Sequence, residues 1–177
     1  MNDHTLKLLA TYRRTIQASL ERIWENVLDW EHLPWLHRKS FAAIQLLEQT
    51  PEGWRAQATL RPAEAKREAV ITIEMDMPNL RYWSRTVGGQ GTGNGVLTCL
   101  SPVSQHVTDI KVEFYAPSSL SPDKAKVLGE SYLRLYEQLW DEDERMMQHR
   151  QRSLDRGWKQ GARPDSMPVE QERPRHA

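Results

Sequence analysis

The stretch SPDKAKVLGESYLRLYEQLWDEDERMMQHRQRSLDRG, residues 121–157, decides how the rest of the chain can fold. Ser121 offers a helix N-cap, Pro122 suits the first helical position, and Asp123 puts a negative charge where the helix dipole favours one. Val127, Leu128, Tyr132, Leu135, Leu139 and Met146 recur at helical spacing. The spacing predicts one long helix with one apolar stripe, which must be buried against another element.

That element is written upstream. From Phe41 the chain reads as six strand-like runs: FAAIQLLEQ (41–49), GWRAQATLRP (53–62), KREAVITIEMD (66–76), LRYWSRTVG (80–88), GNGVLTCLSP (93–102) and HVTDIKVEFYAP (106–117). TPEG (50–53), MPNL (77–80) and the glycine-rich GGQGTGNG (88–95) punctuate them, so the runs read as a meander and hence an antiparallel sheet. Ahead of them, ATYRRTIQAS (10–19) has Tyr12 and Ile16 on one strand face. The period then changes, and Leu20, Ile23, Trp24, Val27 and Leu28 recur at helical spacing, which predicts a short helix.

Length and composition agree with one domain. The 177 residues are 38% hydrophobic and 27% charged, with 24 basic and 24 acidic residues, so no overall field attracts nucleic acid or an anionic membrane. The N-terminal MNDHTLKLLATYRRT has no apolar export core and no apolar run is long enough to span a bilayer, so a cytoplasmic protein is expected. A globular domain over 1–160 is expected, followed by a disordered tail over 161–177, where ARPDSMPVEQERPRHA is rich in proline and poor in apolar residues. The basic run RMMQHRQRSLDRGWKQGAR (145–163) reads as a solvated helix end or a contact for an acidic partner.

Two histidines stand out in DWEHLPWLH, residues 29–37. On a regular helix, five residues separate His32 and His37 by about 140° around the axis, on different faces. Pro34 disfavours helical geometry at Leu33 and removes a backbone donor, so the helix is expected to end or kink between the imidazoles, which can then converge. The alternative is an amphipathic helix end in which Trp30, Leu33 and Leu36 pack and the histidines are solvated.

The element order, a strand and short helix, then a curved antiparallel meander and a long C-terminal helix, resembles the helix-grip superfamily of START, Bet v 1 and polyketide-cyclase proteins. The resemblance covers roughly residues 8–155 and implies an α+β fold with six to seven strands around the last helix. It also implies a pocket for a small hydrophobic or aromatic ligand. Among the seven tryptophans, Trp30, Trp35 and Trp140 are the candidates to line it, Trp35 first because it lies between the histidines.

Asp29-x2-His32-x4-His37, preceded by Glu25–Asn26, is similar to the iron-binding signature of the catalytic domain of Rieske non-haem iron oxygenases. That resemblance implies His32 and His37 as Fe(II) ligands and Asp29 as the acid that orients a ligating histidine and links the iron to incoming electrons. It implies a third ligand on the C-terminal helix, where LWDEDERMMQHRQ (139–151) offers Asp143 after Glu142, with Asp141 as the alternative. The same DEDER run is also what a solvated helix face looks like. The chain departs from those oxygenases in lacking their N-terminal cluster domain. Its single cysteine, Cys99, cannot hold a [2Fe–2S] cluster of the Rieske kind, so either a separate redox protein supplies electrons, or the reaction needs none from outside, or the site has lost redox turnover.

Two other functions fit the same residues: a non-enzymatic carrier or sensor of the START or Bet v 1 kind, and a metal-free cyclase or hydratase with Asp29 or His37 as general base. GGQGTGNG lacks the Lys–Ser/Thr of a phosphate loop and is expected as a hairpin at the pocket mouth. Cys99 is expected as a buried, inert thiol. His106 has no evident partner, and His149 falls on a different helix face from Asp143.

Overall fold

The computed structural model describes residues 5–157. The expected tail over 161–177 and Trp158 lie outside the described residues. Strand β1 (Leu6–Ile16) is followed by helices α1 (Leu20–Leu28) and α2 (Leu33–Leu36). Then come β2 (Phe41–Thr50), β3 (Gly53–Leu60), β4 (Glu68–Asp76), β5 (Arg81–Gly89), β6 (Gly95–Ser104), β7 (Val107–Pro117) and the long α3 (Pro122–Asp155). The strands form one seven-stranded antiparallel sheet in the order β1-β7-β6-β5-β4-β3-β2. This is the α+β helix-grip arrangement. Within the meander each strand pairs with the next in sequence, and β1 closes against β7.

The sheet curves because its register is broken in several places, at Leu8/Ala10 in β1, at Phe41/Ala43 and Leu46/Glu48 in β2, and at Val87 of β5, opposite Val70/Ile71 of β4. Such bulges bend the strand that carries them. The concave face receives α3. Phe114 of β7, fully buried, stacks on Tyr132 with ring centroids 5.0 Å apart and meets Tyr136 edge-on at 4.8 Å. Ile16, Ile23, Val112, Trp140 and Met147 continue that core. At one point α3 comes very close to β1: a Cβ on Gly129 would lie 3.2 Å from the Leu9 carbonyl oxygen.

The buried face of α3 therefore differs from the expected stripe at its start. Val127 is 61% exposed, and the turn that meets the sheet there presents Gly129, where close approach to β1 leaves little room for a side chain. Cys99 is also not in the core. It alternates with the buried Thr98 and Leu100 and is only half-buried, as the period of a strand dictates. Among the described residues no helix is long and apolar enough to cross a membrane.

Candidate metal centre and its cavity

The segment between α1 and β2 builds the site. Ser19 caps α1, its hydroxyl accepting from the Arg22 N–H at 3.3 Å. The helix stops at Leu28, where the Asp29 N–H donates to the carbonyls of Asn26 and Glu25. Asp29 then turns the chain. Its Oδ1 accepts from the N–H groups of Glu31 at 3.1 Å and His32 at 3.3 Å, and its carbonyl accepts from His32 Nδ1. Pro34 sits near the start of the one-turn helix α2, which the His37 N–H closes by donating to the Leu33 carbonyl at 3.0 Å.

The break therefore falls before His32 and not between the histidines, which corrects the expectation drawn from Pro34. A proline is disfavoured inside a helix but well suited to its first turn. Here it starts a new turn after the Asp29 cap has ended the old one. His32 and His37 flank that turn, with ring centroids 5.2 Å apart at 73°.

Each imidazole is fixed through Nδ1. His32 donates to the Asp29 carbonyl, and His37 donates to Glu142 Oε2 at 2.7 Å. Glu142 is itself held by Gln138, whose Nε2 donates to its other oxygen at 3.2 Å. With Nδ1 protonated on both rings, both Nε2 lone pairs are left free, the tautomer being set by the hydrogen bond on the other nitrogen. Both Nε2 atoms approach Asp143 Oδ1, at 3.5 Å from His32 and 3.1 Å from His37.

The four acids of the helix run divide by face. Asp141 and Glu144 turn toward β1, where Arg14 reaches Asp141 at 2.5 Å and Glu144 at 2.6 Å, and the Gln17 N–H donates to Glu144 at 2.7 Å. Glu142 and Asp143 turn toward the histidines. Asp141, the alternative third ligand, is thus committed elsewhere, and Asp143 is the carboxylate that the fold brings to His32 and His37.

The donor set fits a metal ion. One donor atom from each of His32, His37 and Asp143 lies within 4.8 Å of the others. The His37–Asp143 separation is short enough for a hydrogen bond, yet the alignment is not that of one: Asp143 Oδ1 is buried and has no hydrogen-bond partner. Donors that share one ion at about 2.1 Å sit roughly 3–3.5 Å apart, pointing at a common centre and not at each other. A buried carboxylate oxygen with no partner is otherwise costly. Two imidazoles and one carboxylate form the set associated with non-haem Fe(II), leaving positions for other ligands. Such an ion would supply Lewis acidity or redox chemistry.

The surroundings also set the charge on each ring. Burial outweighs the attraction of Asp143 at His32 and holds its pKa below the ordinary value. At His37 burial alone would do the same, but the carboxylates of Asp143 and Glu142 overcome it and hold the pKa above the ordinary value.

Beside the centre is a cavity of about 130 Å³, walled among others by Trp54, Tyr82, Tyr136, Leu139 and Trp140, with His32, His37 and Asp143 at one side. A second cavity of about 320 Å³ shares Phe41, Ile71, Ser84, Tyr136 and Leu139 with it and extends to Gln90, Gly91 and Asn94. The glycine-rich hairpin therefore does border the cavity, at the end away from the histidines. Burial, above all, holds the Tyr82 and Tyr136 phenols far above their usual pKa, so both stay neutral.

Trp140 is on the cavity wall, but Trp30 and Trp35 are not. They line a separate groove with Arg38 and Ala42, and Trp35 is 72% exposed. In the single turn of α2 a residue between the two histidines points away from both. Asp29 is not on the cavity wall either, and its carboxylate is occupied with the backbone N–H groups of Glu31 and His32. His106, in the turn before β7, and His149 on α3 are exposed and lie apart from the site. Sequence reasoning missed Glu142 as the partner of His37, and Tyr82 and Tyr136 as walls. Only the adjacency of Glu142 to Asp143 hinted at the first, and nothing local signalled the others.

No protein-family model and no curated protein sequence matches the chain. Solved structures share its fold. It is similar to the Zhui aromatase/cyclase from Streptomyces sp. R1128, with a TM-score of 0.68 at 12% identity over 85% of this chain and 98% of that one. It is similar to a START superfamily protein from Mycobacterium smegmatis, with a TM-score of 0.61 at 16% identity over 77% and 97% of the two chains. A norcoclaurine synthase from Thalictrum flavum gives 0.63 at 18% identity over 83% and 97%. The likeness establishes the helix-grip fold.

Proposed function

We propose that the protein binds a small, largely apolar molecule between sheet and helix, next to a divalent metal ion held by His32, His37 and Asp143. The observation that carries this reading is Asp143 Oδ1, buried, without a hydrogen-bond partner, and 3.1 Å and 3.5 Å from two imidazole nitrogens. Fe(II) is the ion that the donor set suits best. Trp54, Tyr82, Tyr136 and Trp140 beside these residues supply apolar surface and neutral hydroxyls, which position a ligand and exclude water around the reacting end.

Oxidation of that ligand is the reaction that the sequence motif favours. In that form a separate redox protein is one source of the electrons, Cys99 alone being unable to hold a cluster. A second reading is a metal-free binding protein or cyclase. It is favoured by the company of an aromatase/cyclase and a norcoclaurine synthase among the proteins of like fold. In that form His37, buried and braced by Glu142, is the general base. Asp29 is a poor base, because its carboxylate already accepts two backbone N–H groups.

Thermal unfolding under anaerobic conditions separates these readings. Metal binding raises Tm by several degrees at ion concentrations about a hundredfold above Kd, and a chelator reverses the rise. A Tm indifferent to Fe(II) and to chelator, with apolar ligand still bound, contradicts the metal reading and supports the second.

A further inference from the structure

Among the described residues, the walls of the two adjoining cavities carry no lysine or arginine. The only ionisable acid or imidazole groups among those described residues are His32, His37 and Asp143, all at one end. At that end the carboxylates of Asp143 and Glu142 match the two charges of a divalent ion, so the occupied centre has no positive surplus. Without the ion, the two imidazoles there face the same two carboxylates, Asp143 at both Nε2 atoms and Glu142 at His37 Nδ1. An anion entering this space loses its water and meets no compensating charge.

The opposite end is polar without being charged. Thr86 of β5 lines it with Asn94 of the hairpin and Tyr132 of α3, and the Asn94 amide donates to the Tyr132 hydroxyl at 3.1 Å, while Ser84 stands on the wall that the two cavities share. Arg134 of α3 is exposed, and its guanidinium reaches the Ser131 hydroxyl at 3.4 Å. Hydroxyl and amide groups of this kind serve a ligand hydroxyl or carbonyl and do little for a carboxylate or sulfonate.

We infer that the cavity selects neutral, elongated, largely apolar molecules that carry an oxygen function at the end remote from the histidines, and rejects their anionic analogues. The inference rests on the binding-cavity reading above and adds the charge class of the ligand. It assigns Asn94, Tyr132 and Thr86 to recognition of the far end.

The test is a pair of fluorescent probes that differ by one charged group, phenylnaphthylamine and the anionic anilinonaphthalene sulfonate, each titrated into the full chain with and without Fe(II). The expected result is that the neutral dye binds at least about tenfold more tightly and is displaced by neutral naphthols but not by naphthoates. Ser84→Lys, placing a cation on the shared wall, narrows or reverses the preference, whereas Ser84→Gln does not. Equal or tighter binding of the anionic dye in the wild type overturns the inference while leaving the cavity reading in place. Failure of both dyes to bind overturns the cavity reading itself.

Discussion

Glu142 Oε2 lies 2.7 Å from His37 Nδ1, across 105 residues of sequence, and so fixes which nitrogen of His37 faces Asp143. Such carboxylate–histidine pairs orient a ligating ring and raise its basicity, and their loss typically weakens metal binding about 10–100-fold. Glu142→Gln is therefore expected to lower Fe(II) affinity within that range without abolishing it, as measured by competition with a chromogenic chelator. Asp141→Asn, on the face that meets Arg14, is expected to leave affinity unchanged.

Proton competition follows from the same pair. His37 in the metal-free protein has a pKa raised above its ordinary 6.5, while that of His32 is lowered. The sign follows: the stability contributed by protonated His37 is fully present below the ordinary value and is lost as pH rises through the raised one. An ion must displace that proton but finds His32 already neutral. Apparent Fe(II) affinity is thus expected to rise through and above the ordinary histidine range, with release of one proton. Calorimetry in buffers of different ionisation enthalpy checks this. Affinity that is flat across the range contradicts it.

The core of α3 makes a contrast that sequence periodicity alone would not draw. Phe114 is fully buried against Tyr132 and Tyr136, and Val127 is 61% exposed. Phe114→Ala is expected to cost about 3–5 kcal/mol in denaturant unfolding, and Val127→Ala no more than about 0.5 kcal/mol. A large loss at Val127 would restore the stripe read from its spacing.

Trp35 points to solvent in a groove separate from the histidine cavity. Trp35→Ala is expected to leave both metal content and neutral-dye binding as in the wild type. A marked loss of either would place Trp35 at the site after all.

Much of this architecture was legible because it depends on period. The alternation in β2 to β7 and the cap and stripe of α3 are local, and the helix-grip order follows from them. The cluster of His32, His37 and Asp143 was legible as residue types in a spacing. What the sequence did not reveal is what depends on contacts made in three dimensions. The chain breaks at Leu28, where the Asp29 cap outranks the expected effect of Pro34. Gly129 stands in place of Val127 at the sheet, where β1 leaves little room for a side chain. Glu142, Tyr82 and Tyr136 reach the site from elements that have no local reason to advertise it.

The most direct test of the central claim is metal content after anaerobic reconstitution with Fe(II), comparing the wild type with His32→Ala, Asp143→Asn and Asp141→Asn. The account predicts about one iron per chain in the wild type and in Asp141→Asn, and loss of the iron in the other two. A wild type that retains no iron, or iron that survives both ligand substitutions, would contradict it.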